Sequence, residues 1–322
     1  MAKTRYAPDR GLTARMGLTM FMLGVVFVAF IVALVAILSA FKVTSMGGII
    51  FLAVLLGLVM GIGSFFYSDK IALSTAGARE VTPADGPQAA HLHGIIDRLC
   101  ALADMPKPRV AIAPSPMPNA FATGRNSKHS VVCVTTGLLD SLNDRELEGV
   151  IAHEMSHVAH KDVAVMTVAS FIGIIAALLV RFAFYGELFG GGGGRGRGGN
   201  NDNGGGAIIM LAMMAVGIVV YAISFLLIRL LSRYRELAAD RAGALLTGHP
   251  SDLASALQKV SGGIARIPTR DLRKAEPLNA FFFAPALTTR GAGASLATMF
   301  STHPSLERRL RQLAEISAQL GQ

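Results

Sequence analysis

Four long apolar runs dominate this chain, and they leave few folds open to it. A helix that crosses a bilayer needs about 20 mostly apolar residues to cover roughly 30 Å of hydrocarbon. Gly17 to Phe41 and Gly47 to Tyr67 reach that length without a charge. Val163 to Phe184 and Ala207 to Leu231 reach it with one arginine each, Arg181 and Arg229, placed near an end where a long side chain can extend to the interface. The first run exceeds the roughly 7 to 15 apolar residues of a cleavable signal peptide, so an uncleaved anchor is expected. Only 16% of the 322 residues are charged and 52% are hydrophobic, which excludes a disordered chain and an ordinary soluble enzyme. The two cysteines, Cys100 and Cys133, are too few for a cysteine metal cluster.

Basic residues set the expected orientation, because cytoplasmic segments carry an excess of them. Lys3, Arg5, Arg10 and Arg15 precede the first span, whereas the hairpin segment Lys42 to Met46 holds Lys42 alone. The second connecting segment, Tyr185 to Gly206, holds only Arg195 and Arg197. Both connections are therefore expected outside, with both termini in the cytoplasm. The expected organisation is a cytoplasmic N-terminus (1–16), a transmembrane hairpin (17–67), and a first cytoplasmic part (68–162). A second hairpin (163–231) with a glycine-rich outer loop (185–206) and a second cytoplasmic part (232–322) follow. That loop reads as a flexible tether. With two arginines and no interleaved aromatics it is a poor nucleic-acid segment, so the net charge of +9 is not read as nucleic-acid binding.

Asn143 and Glu146 have the spacing of a capping box, which predicts a helix start. The helix that follows carries His153-Glu154-Met155-Ser156-His157. Histidines one turn apart project together and can share one Zn²⁺, and Glu154 between them can take a proton from a water that the ion activates. A catalytic zinc site needs a third protein ligand. His160 lies about 10 Å along the axis from His153, too far to share the ion easily. Glu236, just after the fourth run, is the better candidate, and Asp240 one turn on could orient a ligand histidine. Alternatively both acids pair with Arg233, Arg235 or Arg241 on a solvated face. Two membrane crossings separate His157 from Glu236, which returns the glutamate to the histidines' side.

His-Glu-Met-Ser-His, a helical hairpin and then Glu236-x-x-x-Asp240, all after two leading spans, resemble the HtpX group of membrane zinc metalloproteases, gluzincins distantly related to the CAAX prenyl proteases. Pro118 to Gly124, and Thr302-His303-Pro304 followed by Arg309, also match. The resemblance implies a mainly α integral membrane protein with four transmembrane helices and a cytoplasmic zincin-like α+β catalytic domain carrying a small sheet. It implies one zinc per chain on His153, His157 and Glu236, Glu154 as general base, and quality control of membrane proteins at a bacterial plasma membrane.

Arg109 to Ala113, Asn119 to Thr123 and Val131 to Thr135 read as short strands. An extended substrate could pair beside Asn119, Ala120, Phe121 and Ala122, although a covered core strand accounts for Phe121 equally well. His303 could donate to the oxyanion of peptide hydrolysis, and Arg309 could contact substrate. Pro304 suits the first turn of a C-terminal helix. The expected partners are membrane-protein substrates and the lipid bilayer, with the active site near the membrane surface; the oligomeric state stays open. The rival readings are a divalent-cation transporter, which the scarcity of ionisable residues in the runs disfavours, and a catalytically silent zinc scaffold, which has no need of Glu154.

Overall fold

The computed structural model describes residues 10–40, 47–190, 203–265 and 303–321. Lys3, Arg5, Lys42, Arg195, Arg197 and Thr302, which entered the readings above, lie outside them. The fold is mainly helical, with a small four-stranded sheet. The chain divides into two compact units: 17–64 with 166–231, and the remainder, 1–16, 65–165 and 232–322.

The first unit holds the apolar runs. α1 (Arg10–Ala40) and α7 (Asn203–Thr247) are long and apolar enough to cross a membrane by themselves. α2 (Gly47–Ala76) qualifies only as a pair of segments bent by 57°, and α6 (Asp162–Gly190) only together with the helix before it, across a 56° bend. The candidate spans among the described residues therefore number two to four. Phe21, Val28 and Val32 of α1 and Val59 of α2 are each more than half exposed, a pattern that suits a lipid surrounding. Gly57 of α2 meets α6 closely, since a Cβ there would lie 3.0 Å from Ile175. α6 runs on to Gly190 and α7 begins at Asn203, so helix enters the expected 185–206 loop from both sides. Adding a residue to a formed helix costs far less than starting one, which lets the spans extend into polar sequence.

In the second unit, β1 (Arg79–Glu80), β2 (Arg109–Ala113), β3 (Ala120–Gly124) and β4 (Ser130–Thr135) form a sheet of order β1-β2-β4-β3. β2 and β4 are parallel, while β1 and β3 pair antiparallel to their neighbours. Alternation divides the side chains between two faces. Val110, Ala120, Val132 and Val134 join a large core with α3 (Pro87–Ala103) and α5 (Asp144–Ala159). Ala111, Ala113, Phe121, Val131 and Cys133 pack on the other face with Ala72, near the end of α2. The short α4 (Thr136–Ser141) is capped by the Thr135 hydroxyl, which accepts from Leu138 N–H.

α5 starts where its capping box requires. The Asn143 side chain accepts from Glu146 N–H at 3.0 Å, and Glu146 accepts from Asn143 N–H at the same distance. Glu146 also receives Ser255 Oγ at 2.6 Å and Lys259 Nζ at 2.7 Å from α8 (Pro250–Ala265), which seats α8 on the start of α5. At the far end Lys161 adopts φ 56°, a left-handed turn that closes α5 and redirects the chain into α6. α9 (Leu306–Gln319) begins at Ser305, whose hydroxyl accepts from Arg308 N–H. Pro304 thus precedes the helix cap instead of occupying its first turn.

Candidate metal centre

His153 and His157 stand one turn apart on α5, and their Nε2 atoms face each other at 3.2 Å. α7 brings Glu236 against both: Oε2 lies 3.7 Å from His153 Nε2, and Oε1 lies 3.5 Å from His157 Nε2. Four ligands set tetrahedrally at zinc-like bond lengths are about 3.3 Å from one another, so these separations fit a single ion. The three residues form a group whose candidate ligand atoms all lie within 4.8 Å of one another. The close approach depends on Gly243, where a Cβ would sit 2.9 Å from His153 N and 3.1 Å from its Cα. The backbones of α5 and α7 nearly touch there.

Each histidine is also fixed from behind. Nδ1 of His153 faces Asp240 Oδ1 at 2.9 Å, and Nδ1 of His157 faces Asp162 Oδ2 at 2.6 Å. A carboxylate can only accept, so Nδ1 carries the proton in both rings and the Nε2 lone pairs turn toward the shared point. Arg309 in α9 grips Asp240 with two hydrogen bonds of 2.7 Å, and Arg235 in α7 pairs with Asp162. Burial lowers the His153 pKa against the opposing hydrogen bond to Asp240, which favours the neutral ring that a metal requires. Burial would raise Asp240, but the Arg309 charge and hydrogen bonds hold its pKa below the ordinary value. For Glu236 burial likewise loses, to the neighbouring His303, His157 and His153, and the carboxyl is held well below its ordinary range.

Glu154 is buried beside this group, and its Oε2 accepts from Ala122 N–H at 2.9 Å. Burial pushes its pKa up to about 7; the Glu236 charge adds to the rise, while His157 and the Ala122 amide oppose it. Ala122 lies on β3, the edge of the sheet, so the strand's outer amide is aimed at the metal helix. His303 joins from the other side, with Nδ1 3.0 Å from Glu236 Oε2.

The sequence-predicted residues thus converge, though not all in the expected parts. Arg309 is 1% exposed and spent on Asp240, so it supports the site from within and does not reach substrate. Phe121 is 4% exposed on the sheet face away from α5, so its ring is withdrawn from a substrate at the metal site. Asn119 is tied into β4: its N–H donates to Thr135 Oγ1 at 2.8 Å and its carbonyl accepts from Thr135 N–H at 2.9 Å. His160 turns back onto its own helix, with Nδ1 2.8 Å from the Ser156 carbonyl. Asp162 was missed, and Arg235, one alternative surface partner for Glu236 or Asp240, is buried against Asp162 instead. The available signal was an acid heading an otherwise apolar helix, five residues beyond His157.

A model of peptidase family M48 matches residues 87–317. A protein from Streptomyces coelicolor described as "Protease HtpX homolog 1" is 54% identical over 320 residues, covering 99% of this chain and 97% of that protein. "Protease HtpX homolog" of Moorella thermoacetica is 50% identical over 97% of this chain and 96% of its own, and the Pyrococcus furiosus protein of that description is 38% identical over 85% and 89%. The crystal structure of Ste24p from S. mikatae shares the fold, with a TM-score of 0.50 at 17% identity, covering 95% of this chain and 66% of that one.

Proposed function

Because the chain belongs to peptidase family M48, as an HtpX-type membrane metalloprotease, we propose that it hydrolyses peptide bonds of damaged or misfolded membrane proteins, at the cytoplasmic face of a bacterial plasma membrane. The observation that carries the reading is the convergence of His153, His157 and Glu236 with Glu154 buried beside them. The donor set, two neutral imidazoles and a carboxylate, is that of a catalytic zinc site that keeps an open position. His153, His157 and Glu236 would hold one Zn²⁺ per chain, which supplies Lewis acidity toward a carbonyl and toward water.

The chain's own groups supply the rest. Glu154 takes a proton as water adds to the carbonyl carbon, then delivers it to the amine nitrogen as the C–N bond breaks. Its burial beside His153, His157 and Glu236 positions it for both halves of that transfer. Ala122 N–H fixes the carboxylate at 2.9 Å, and the same strand edge can pair with an extended peptide through main-chain hydrogen bonds, which suits substrates of varied sequence. With its Nδ1 turned to Glu236, His303 in its doubly protonated form would present an Nε2–H to the developing oxyanion. Asp240 and Asp162 hold the two histidines in register.

The test is cleavage of unfolded membrane and soluble proteins by the full chain in detergent, with and without chelator, and by Glu154→Gln. Activity is expected only in the untreated wild type, while the variant retains metal. Cleavage that persists through both changes overturns the reading.

A further inference from the structure

α9 buries Leu313 and Ile316 but leaves Arg308, Arg311 and Glu315 exposed. That exposed face helps to wall an open cavity of about 360 Å³, lined also by Arg241 of α7 and by Leu12 and Arg15 in the first turns of α1. The charged side chains among the described lining residues are four guanidiniums and one carboxylate, Glu315. Such a balance calls for an anion. Burial and the Arg308 charge also lower the pKa of Arg233, so positive charge is crowded along this side of α7.

Two further features define the anion. Guanidinium forks match the paired oxygens of a phosphate. Leu12, Leu237 and Ile316 add an apolar wall, which a small soluble anion does not use. Arg15 also stands two residues before the apolar run of α1, which on a continuous helix is about 3 Å along the axis and places it at headgroup level.

We propose that this cavity binds the phosphodiester headgroup of an anionic phospholipid, with Arg15 and Arg311 among its anchors. The bound headgroup joins the start of the first membrane helix to α9, the helix whose Arg309 holds Asp240 behind His153.

The full chain in a neutral detergent is titrated with dihexanoyl phosphatidylglycerol, dihexanoyl phosphatidylcholine and inorganic phosphate, and thermal unfolding is followed. Phosphatidylglycerol is expected to raise the midpoint and the other two to leave it in place. The double variant Arg15→Gln/Arg311→Gln changes two exposed side chains. It is expected to keep its lipid-free midpoint and to bind phosphatidylglycerol about thirtyfold more weakly, from the loss of two charges at an anionic headgroup. Arg15→Lys/Arg311→Lys should retain most of the response. An equal shift from phosphatidylcholine, or an undiminished response in the glutamine variant, overturns the proposal. An equal shift from inorganic phosphate overturns the lipid in favour of a soluble anion.

Discussion

Asp162 Oδ2 lies 2.6 Å from His157 Nδ1, although the two residues belong to different helices separated by the left-handed turn at Lys161. The first residue of α6 therefore sets the tautomer of a metal-binding histidine. Asp162→Ala is expected to weaken zinc affinity by about 10–100-fold, as loss of such a partner does elsewhere. Competition with a chelator in the purified protein measures it. Asp162→Asn, which keeps an acceptor oxygen, should lose less. Zinc retention equal to wild type in the alanine variant would remove Asp162 from this role.

Arg309 answers a different need. Among the described residues it is the largest fully buried side chain, and Asp240 opposite it is 0% exposed. Removing one member of a buried, hydrogen-bonded ion pair costs up to about 3–5 kcal/mol, and Asp240 would be left with His153 as its partner. Arg309→Met should therefore lower the thermal midpoint markedly, and adding Asp240→Asn to it should restore part of the loss by discharging the stranded acid. If the double variant melts below the single one, the cost does not come from the orphaned carboxylate.

Much of this was legible from residue types and spacing, where the relevant physics is local. The capping box at Asn143 fixed where α5 begins, and a four-residue interval fixed that His153 and His157 share a face. The strand expected at Asn119 to Thr123 is displaced by one residue, to Ala120–Gly124. What stayed hidden depends on tertiary direction. Five residues is not a helical neighbour spacing, so nothing in the pattern brought Asp162 to His157 until Lys161 turned the chain. Alternation placed Phe121 and Ala122 on opposite faces, but only the pairing with β4 and the packing of α5 show which face meets the metal site. Arg309 resembled a substrate contact because its partner is 69 residues away.

Gly243 is expected to tolerate no side chain. A Cβ at 2.9 Å from His153 N meets backbone, which cannot swing aside as a flexible side chain could. Gly243→Ala must push α7 away from α5, carrying Glu236 from the histidines, at an overpacking cost of about 1–3 kcal/mol. Zinc content should fall while the circular dichroism stays helical. Full zinc occupancy in this variant would show that the helices can separate without disturbing the ligands.

Phe121 separates the strand's structural role from any docking role. Its ring fills the face shared with Ala72, Val131 and Cys133, so Phe121→Ala should cost about 3–5 kcal/mol as a cavity. The cleavage-site pattern should not change, because the ring lies on the face away from α5 and the metal site. Altered product fragments from the variant, seen by mass spectrometry under conditions where it is still folded, would place the ring in the substrate site after all.

Glu146 gives the fold a defined dependence on pH. Burial alone would raise its pKa, but hydrogen bonds from Lys259, Ser255 and the Asn143 amide outweigh burial and hold it below the ordinary 4.5. The folded state therefore takes up this proton less readily than the unfolded chain. The resulting stability is fully present above the ordinary carboxyl value and is lost as pH falls through the lowered one. Glu146→Gln removes an ionised acceptor of three donors, with an expected cost of about 1.5–3 kcal/mol at neutral pH. Comparing wild type with Glu146→Gln cancels every other titrating group, the metal ligands included. The gap in thermal midpoint should be constant from neutrality down to the ordinary carboxyl value and should close as pH falls through the lowered one. A gap that stays open at the acid end would mean that the glutamate acts through its shape and not through its charge.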